Sequence, residues 1–146
     1  MKLCFVSTSR ADYGTLKILI DQFIHKKKIK IQLILTGSHS ESIFGSINEI
    51  KKKNKTRIYK VKVKSKNYSD EYVAKSFSET SEKITKKFKQ IKPDAVIIFG
   101  DRYEMLAASI SAYILKINII HIAGGEKTSG SLDEGFRHCI TKLANL

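Results

Sequence analysis

The stretch from 93 to 138, PDAVIIFGDRYEMLAASISAYILKINIIHIAGGEKTSGSLDEGFRH, constrains the fold more than any other part of the chain. An apolar run at 95–99 ends in Gly100-Asp101-Arg102, and a second at 117–122 ends in Gly124-Gly125-Glu126 ahead of a loop leading to Asp133-Glu134. The intervening residues 105–115 are apolar nearly all round, as expected of a helix packed between a sheet and another layer. The pattern predicts one β-α-β unit with carboxylates at both strand exits. Ligands of an open parallel sheet sit outside the carboxyl ends of its strands, so Asp101, Glu126 and Glu134 are expected to converge on one crevice.

The rest of the chain repeats the alternation. Residues 2–6 and 29–35 are short apolar runs of the kind buried on both faces of a parallel sheet. The first breaks at Ser7-Thr8-Ser9-Arg10-Ala11-Asp12-Tyr13-Gly14, after which Leu16, Leu19, Ile20, Phe23 and Ile24 follow helical spacing to about residue 25. A helix start after a strand presents backbone N–H groups to an anion, and Arg10 adds a donor fork suited to phosphate; a cap with a surface ion pair is the plainer alternative. The second run ends in Thr36-Gly37-Ser38-His39-Ser40, which places His39 at another strand exit and lets Ser40 cap a helix through residue 52. Residues 57–64 alternate Tyr59, Val61 and Val63 with three lysines, the pattern of a marginal strand. A polar linker at 65–69 precedes a long helix from 70 to about 90, with Val73, Phe77, Ile84, Phe88 and Ile91 expected to bury one stripe before Pro93 ends it. From Asp133, Phe136, Ile140 and Leu143 repeat at helical spacing up to the last residues given. The expected fold is α/β, a Rossmann-like parallel sheet of five strands with helices on both faces.

Composition narrows the function. A length of 146 residues with 42% apolar content suits one domain with its own core. No run is long enough to span a bilayer and the first residues lack a signal-peptide core, so the expected compartment is the cytoplasm, with no membrane partner. The formal charge of +13 comes mostly from lysine runs such as Lys26-Lys27-Lys28 and Lys51-Lys52-Lys53, without interleaved aromatics, and reads as solvated surface rather than a nucleic-acid groove. Cys4 and Cys139 lack metal or redox spacing and read as small buried hydrophobes, no other cluster has metal-ligand spacing, and neither a G-x-G-x-x-G nor a P-loop is present.

Four blocks in order resemble the UDP-N-acetylglucosamine 2-epimerase family, and its hydrolysing branch in particular: Thr8 to Gly14; Thr36 to Ser40 with Phe44-Gly45; Gly100-Asp101-Arg102-Tyr103-Glu104-Met105-Leu106-Ala107-Ala108; and His121-Ile122-Ala123-Gly124-Gly125-Glu126-Lys127-Thr128, continuing to Gly130, Asp133-Glu134 and Arg137-His138. The resemblance implies two Rossmann-like domains of the GT-B type facing a cleft. Residues 1–146 would be the N-terminal domain, and a C-terminal domain outside these residues would make most contacts to uridine diphosphate. It also implies a nucleotide-sugar substrate, no cofactor or metal, a role in sialic or legionaminic acid synthesis, and a homo-oligomer at full length. Asp101, Glu126 and Glu134 would form the acid/base set, with Arg10, His39, Arg102 and Arg137 binding substrate. Members of the branch eliminate the nucleotide diphosphate across C1 and C2 and add water to the glycal; the non-hydrolysing branch returns an intact nucleotide sugar instead. Taken singly, Asp101 and Asp133 also read as helix N-caps, and Arg102 and Arg137 as partners of neighbouring carboxylates.

Overall fold

Each continuous apolar run of the sequence forms a strand, because a run without alternation can bury both of its faces only inside a covered parallel sheet. The structure, a computed structural model, describes residues 1–40, 56–63 and 69–146. Strands β1 (Lys2–Ser7), β2 (Lys30–Leu35), β3 (Arg57–Lys60), β4 (Ala95–Phe99) and β5 (Asn118–Ile122) form one sheet in the order β3-β2-β1-β4-β5, every pair parallel. Among the described residues four α-helices flank it: α1 (Arg10–Phe23), α2 (Asp70–Ile91), α3 (Tyr103–Ile114) and α4 (Leu132–Leu143). On one face Leu16 and Ile20 of α1 pack on Leu3, Phe5, Leu33 and Ile97. On the other, Ile84 and Phe88 of α2, Met105 and Ala108 of α3 and Ile140 of α4 pack on Val6, Ile34, Val96 and Ile98.

The expected marginal strand is shorter than its alternation. It ends at Lys60, although the Val61 N–H still reaches the Leu35 carbonyl at 2.9 Å, and Val61 and Val63 remain buried. The helix expected after Ser40 and the Phe44-Gly45 pair lie outside the described residues; before them a 3-10 turn spans Gly37–Ser40. The stripe of α2 is Ser76, Thr80, Ile84, Phe88 and Ile91, while Val73 and Phe77 are only half-buried. Small side chains occupy the first two positions of that stripe, and next to them Ser81 Oγ contacts Ser111 Oγ of α3 at 3.2 Å. Cys4 is buried as expected, but Cys139 is exposed, since α4 turns Arg137 and Ile140 inward and leaves position 139 on the outer side. Neither Asp101 nor Asp133 caps a helix: Ser131 caps α4, and Arg102 holds the cap position of α3 without a side-chain hydrogen bond. The outer edge of β5 is covered by the residues after α4, with Asn145 N–H on the Ile119 carbonyl at 2.8 Å and His121 N–H on the Leu146 carbonyl at 2.8 Å.

The strand order reverses between β1 and β4. That is the switch point at which an open α/β sheet leaves a crevice beyond its carboxyl edge. On the β1 side Asp12 holds the turn. Its Oδ2 accepts from the Thr8 N–H (3.0 Å), the Thr8 hydroxyl (2.6 Å) and the Ser9 N–H (3.0 Å), and its Oδ1 accepts from the Ser9 hydroxyl (2.8 Å), completing a capping box for α1. Replacing Asp12 by alanine strands two backbone donors at once, and urea unfolding should show a loss of about 1–2 kcal/mol; an unchanged midpoint would mean that the turn does not depend on this carboxylate.

Candidate active site

The exits of β4 and β5 are joined by a neutral histidine. Gly100, at a φ of 77°, turns the chain sharply after β4. His121 Nε2 lies 2.8 Å from the Gly100 carbonyl, which can only accept, so the ring proton sits on Nε2 and Nδ1 faces Thr141 Oγ1 at 2.9 Å. Burial, the largest influence, holds the His121 pKa below its ordinary value, and the nearby Arg137 acts in the same direction. Gly124 fits tightly here. A Cβ at that position would stand 2.6 Å from Thr141 Oγ1 and 2.7 Å from His121 Nδ1.

Beside this joint lies Arg137, 2% exposed. Its NH1 donates to the Glu126 carbonyl at 2.6 Å and to Glu134 Oε2 at 3.0 Å; its NH2 donates to Thr128 Oγ1 at 3.0 Å and to the Asp101 carboxylate. One guanidinium on α4 therefore gathers the β4 exit, the loop after β5 and the start of its own helix. Glu134 is the most heavily hydrogen-bonded of the three acids. It accepts from the Thr128 N–H (2.7 Å), the Thr128 hydroxyl (2.9 Å), Arg137, and His138 Nε2 (3.0 Å). The Thr128 N–H foremost, then its hydroxyl, hold the Glu134 carboxyl far below its ordinary value, at about 2. Glu126 engages Arg137 through its backbone, and the residue is exposed.

A second group lies at the exits of β1 and β2. Ser7 Oγ donates to the Ser9 carbonyl at 3.1 Å and so accepts from His39 Nε2 at 2.8 Å. His39 is 2% exposed, and burial lowers its pKa against the pull of Asp12. Ser38 Oγ donates to the Thr8 carbonyl at 2.9 Å, tying the two turns together. Arg102, 41% exposed, donates through Nε (3.2 Å) and NH2 (3.3 Å) to the two oxygens of Glu104, which is almost wholly buried. Burial alone would lower the Arg102 pKa; the Glu104 carboxylate, with a contribution from Asp12, more than offsets it.

The structure thus brings Asp101, Glu134 and the backbone of Glu126 together through Arg137, and sets Arg102 and the exposed Arg10, the first residue of α1, on turns facing the switch point. Of the four groups expected to bind substrate, His39 and Arg137 are buried in the framework. Two residues that pattern reasoning did not single out, Glu104 and His121, hold this architecture. A signal for Glu104 was available: positions 104, 107, 108, 111 and 112 form one helical face, otherwise made of alanine and serine, and all are buried. Among the described residues no group of three or more histidine, cysteine or acidic side chains is placed to hold a metal, and no helix is long and apolar enough to cross a membrane.

A Rossmann-like layer with acids and arginines at its switch point defines a class of α/β proteins whose crevice suits an anionic ligand. The family model described as UDP-N-acetylglucosamine 2-epimerase matches residues 22–146, and the chain belongs to that family. It is 35% identical, over 146 residues, to the GDP/UDP-N,N'-diacetylbacillosamine 2-epimerase (hydrolyzing) of Campylobacter jejuni, with 99% of this chain and 38% of the relative covered. It is 34% identical to the UDP-N,N'-diacetylbacillosamine 2-epimerase (hydrolyzing) of Legionella pneumophila, over 99% of this chain and 38% of that protein. The chain spans about 38% of the length of these curated relatives. Among solved structures it matches the UDP-GlcNAc 2-epimerase of Neisseria meningitidis bound to UDP-GlcNAc with a TM-score of 0.82 at 21% identity, covering 99% of this chain and 39% of the other. The Methanocaldococcus jannaschii enzyme in complex with UDP-GlcNAc and UDP matches with a TM-score of 0.83 at 22% identity over 99% of this chain and 39% of the other. These matches establish the fold as that of the N-terminal part of GT-B-type epimerases.

The depressed Glu134 value has a measurable consequence. An acid whose folded-state pKa lies below its unfolded one stabilises the fold above the unfolded value, and that contribution is lost as pH falls through the folded value. The thermal stability of the wild-type chain relative to Glu134→Gln should shrink as pH falls from about 4.5 to about 2. A difference that stays constant across that window would refute the assignment.

Proposed function

We propose that this chain forms the sugar-facing part of a hydrolysing 2-epimerase acting on UDP-linked N-acetylglucosamine or a related UDP-linked diacetamido sugar. The observation that carries the reading is the gathering of Asp101, Glu134 and the Glu126 backbone around one buried guanidinium, beside two arginines at the switch point. Two relatives whose names specify hydrolysis support the branch. The nucleotide wall of the cleft would come from a C-terminal domain, and the 146 residues alone would turn over negligibly, because binding energy at the nucleotide positions the reacting sugar. The reading places the enzyme in the cytoplasm as a homo-oligomer, in the synthesis of a sialic or legionaminic acid.

In this reaction a base removes the proton on C2, the C1–O bond breaks, and UDP departs with its charge met by cations. Water then adds to the glycal, hydroxyl to C1 and proton to C2 on the opposite face. Asp101, Glu126 and Glu134 make up the acid/base set, and the Thr128 N–H and hydroxyl fix the Glu134 carboxylate against the loop. Arg10 and Arg102 meet the diphosphate. His39 and Arg137 act through the groups they hold.

The product of the full reading frame should release free UDP and a free C2-epimeric amino sugar in equal amounts. Asp101→Asn and Glu126→Gln should each lower kcat by about 10²-fold or more with unchanged circular dichroism. Full activity in either variant would overturn the assigned roles, and an intact epimeric nucleotide sugar without free UDP would establish the non-hydrolysing branch instead.

A further inference from the structure

Glu104 has no place in the reaction just described, yet it is one of the most deeply buried charged side chains among the described residues, at 2% exposure. Taking a carboxylate out of water is costly unless it is well paired. A first-turn acid serving only the helix dipole gains the same benefit at the surface, so the dipole does not account for its burial. The residues around it are shaped to receive it. Gly37, at a φ of 57°, closes the turn after β2 so tightly that a Cβ there would lie 2.8 Å from Glu104 Oε1 and 2.9 Å from the Thr8 carbonyl. The turns after β1, β2 and β4 therefore meet at this carboxylate.

What it holds is Arg102. Both oxygens receive the guanidinium side-on, Nε at 3.2 Å and NH2 at 3.3 Å, which uses two of the five N–H donors of a side chain still 41% exposed. An arginine fork fixed along one edge presents its remaining donors in a set orientation, whereas an unbraced one loses rotamer freedom when it meets an anion. We propose that Glu104 is a positioning residue: it holds Arg102 at the switch point so that the guanidinium meets the diphosphate of the nucleotide sugar already oriented. This rests on the reading of Arg102 as an anion-binding group. The pairing also offsets one positive charge, so orientation and net charge make opposite forecasts. Removing the Glu104 charge strengthens anion binding if charge governs and weakens it if orientation governs.

The test has two arms. In the ¹⁵N-labelled chain, the Arg102 Nε–H signal should be resolved and slow to exchange with water, and Glu104→Gln should speed its exchange about tenfold. In the full-reading-frame enzyme, Glu104→Gln should raise KM for the UDP-sugar about tenfold with a smaller change in kcat. Combined with Arg102→Ala it should add nothing to the loss from Arg102→Ala alone. Additive losses, a tightened KM, or an Arg102 signal that Glu104→Gln leaves unchanged would each overturn the proposal. If Glu104→Gln does not fold, Arg102→Lys replaces it, since lysine keeps the charge without the fork. Orientation then requires a loss close to that of Arg102→Ala, and near-wild-type KM would overturn it. An enzyme in which Arg102→Ala itself leaves KM unchanged would refute the substrate reading of Arg102, whereas the exchange measurement tests the Glu104 brace separately.

Discussion

The buried guanidinium of Arg137 is the interaction on which the carboxyl edge of the sheet depends. A cation removed from water is tolerated only when its donors are satisfied, and here the acceptors come from three places: Asp101 after β4, Glu126 and Thr128 in the loop after β5, and Glu134 on the same helix. The geometry locks each to the others. Without the cation, Asp101 and Glu134 would be left as neighbouring carboxylates with their shared counter-charge gone, and the loop carrying Glu126 would lose its anchor to α4. His121 supplies a second tie across the same gap, and its low pKa keeps it from adding another positive charge beside Arg137.

The two clusters solve different problems at one edge. Around Arg137 the cation is buried and the acids are partly open, which gathers negative groups at the exits of β4 and β5. Around Glu104 the arrangement is inverted: the carboxylate is buried and the arginine is half open, which leaves the positive charge accessible to solvent. Consecutive residues Asp101 and Arg102 belong to opposite clusters, so a single tight turn at Gly100 sets the boundary between them. Such a division suits the proposed reaction, which removes a carbon-bound proton at one atom and releases a diphosphate from the next.

Much of this was legible in the sequence where local and global signals agree. Strand β4 occupies the predicted 95–99 because an apolar run bounded by Pro93 and Gly100 has one way to lie in a sheet. The first helix and the β5–α4 loop came from breaks in the same kind of pattern. Partnership was not legible. Arg137 and His39 carry the residue types of binding groups, and only the packing of α4 and of the turn after β2 shows that both are buried. Val73 and Phe77 fit an apolar stripe by spacing alone, but the positions actually buried in that part of the helix are Ser76 and Thr80. Glu104 was hidden for the converse reason, since an acid in a first turn has an ordinary explanation that needs no tertiary contact.

The hydrogen bonds also constrain how the three acids can share the chemistry. Every donor given to an ionised carboxylate lowers its basicity, so the acid with the most donors is the least able to take a proton from carbon. Glu134, with Thr128, Arg137 and His138 around it, stands at that extreme. Asp101 faces Arg137 at NH2, while Glu126 engages the same guanidinium through its backbone carbonyl and lies on an exposed stretch of loop. A carboxylate carried on a loop that is anchored by its own backbone keeps its side chain available while its position is fixed. In the proposed reaction that suits Glu126 to meet the sugar directly, with its backbone held by Arg137 and its side chain on the exposed loop. Asp101, held by the same guanidinium from the β4 side, is fixed at the same edge by its side chain instead.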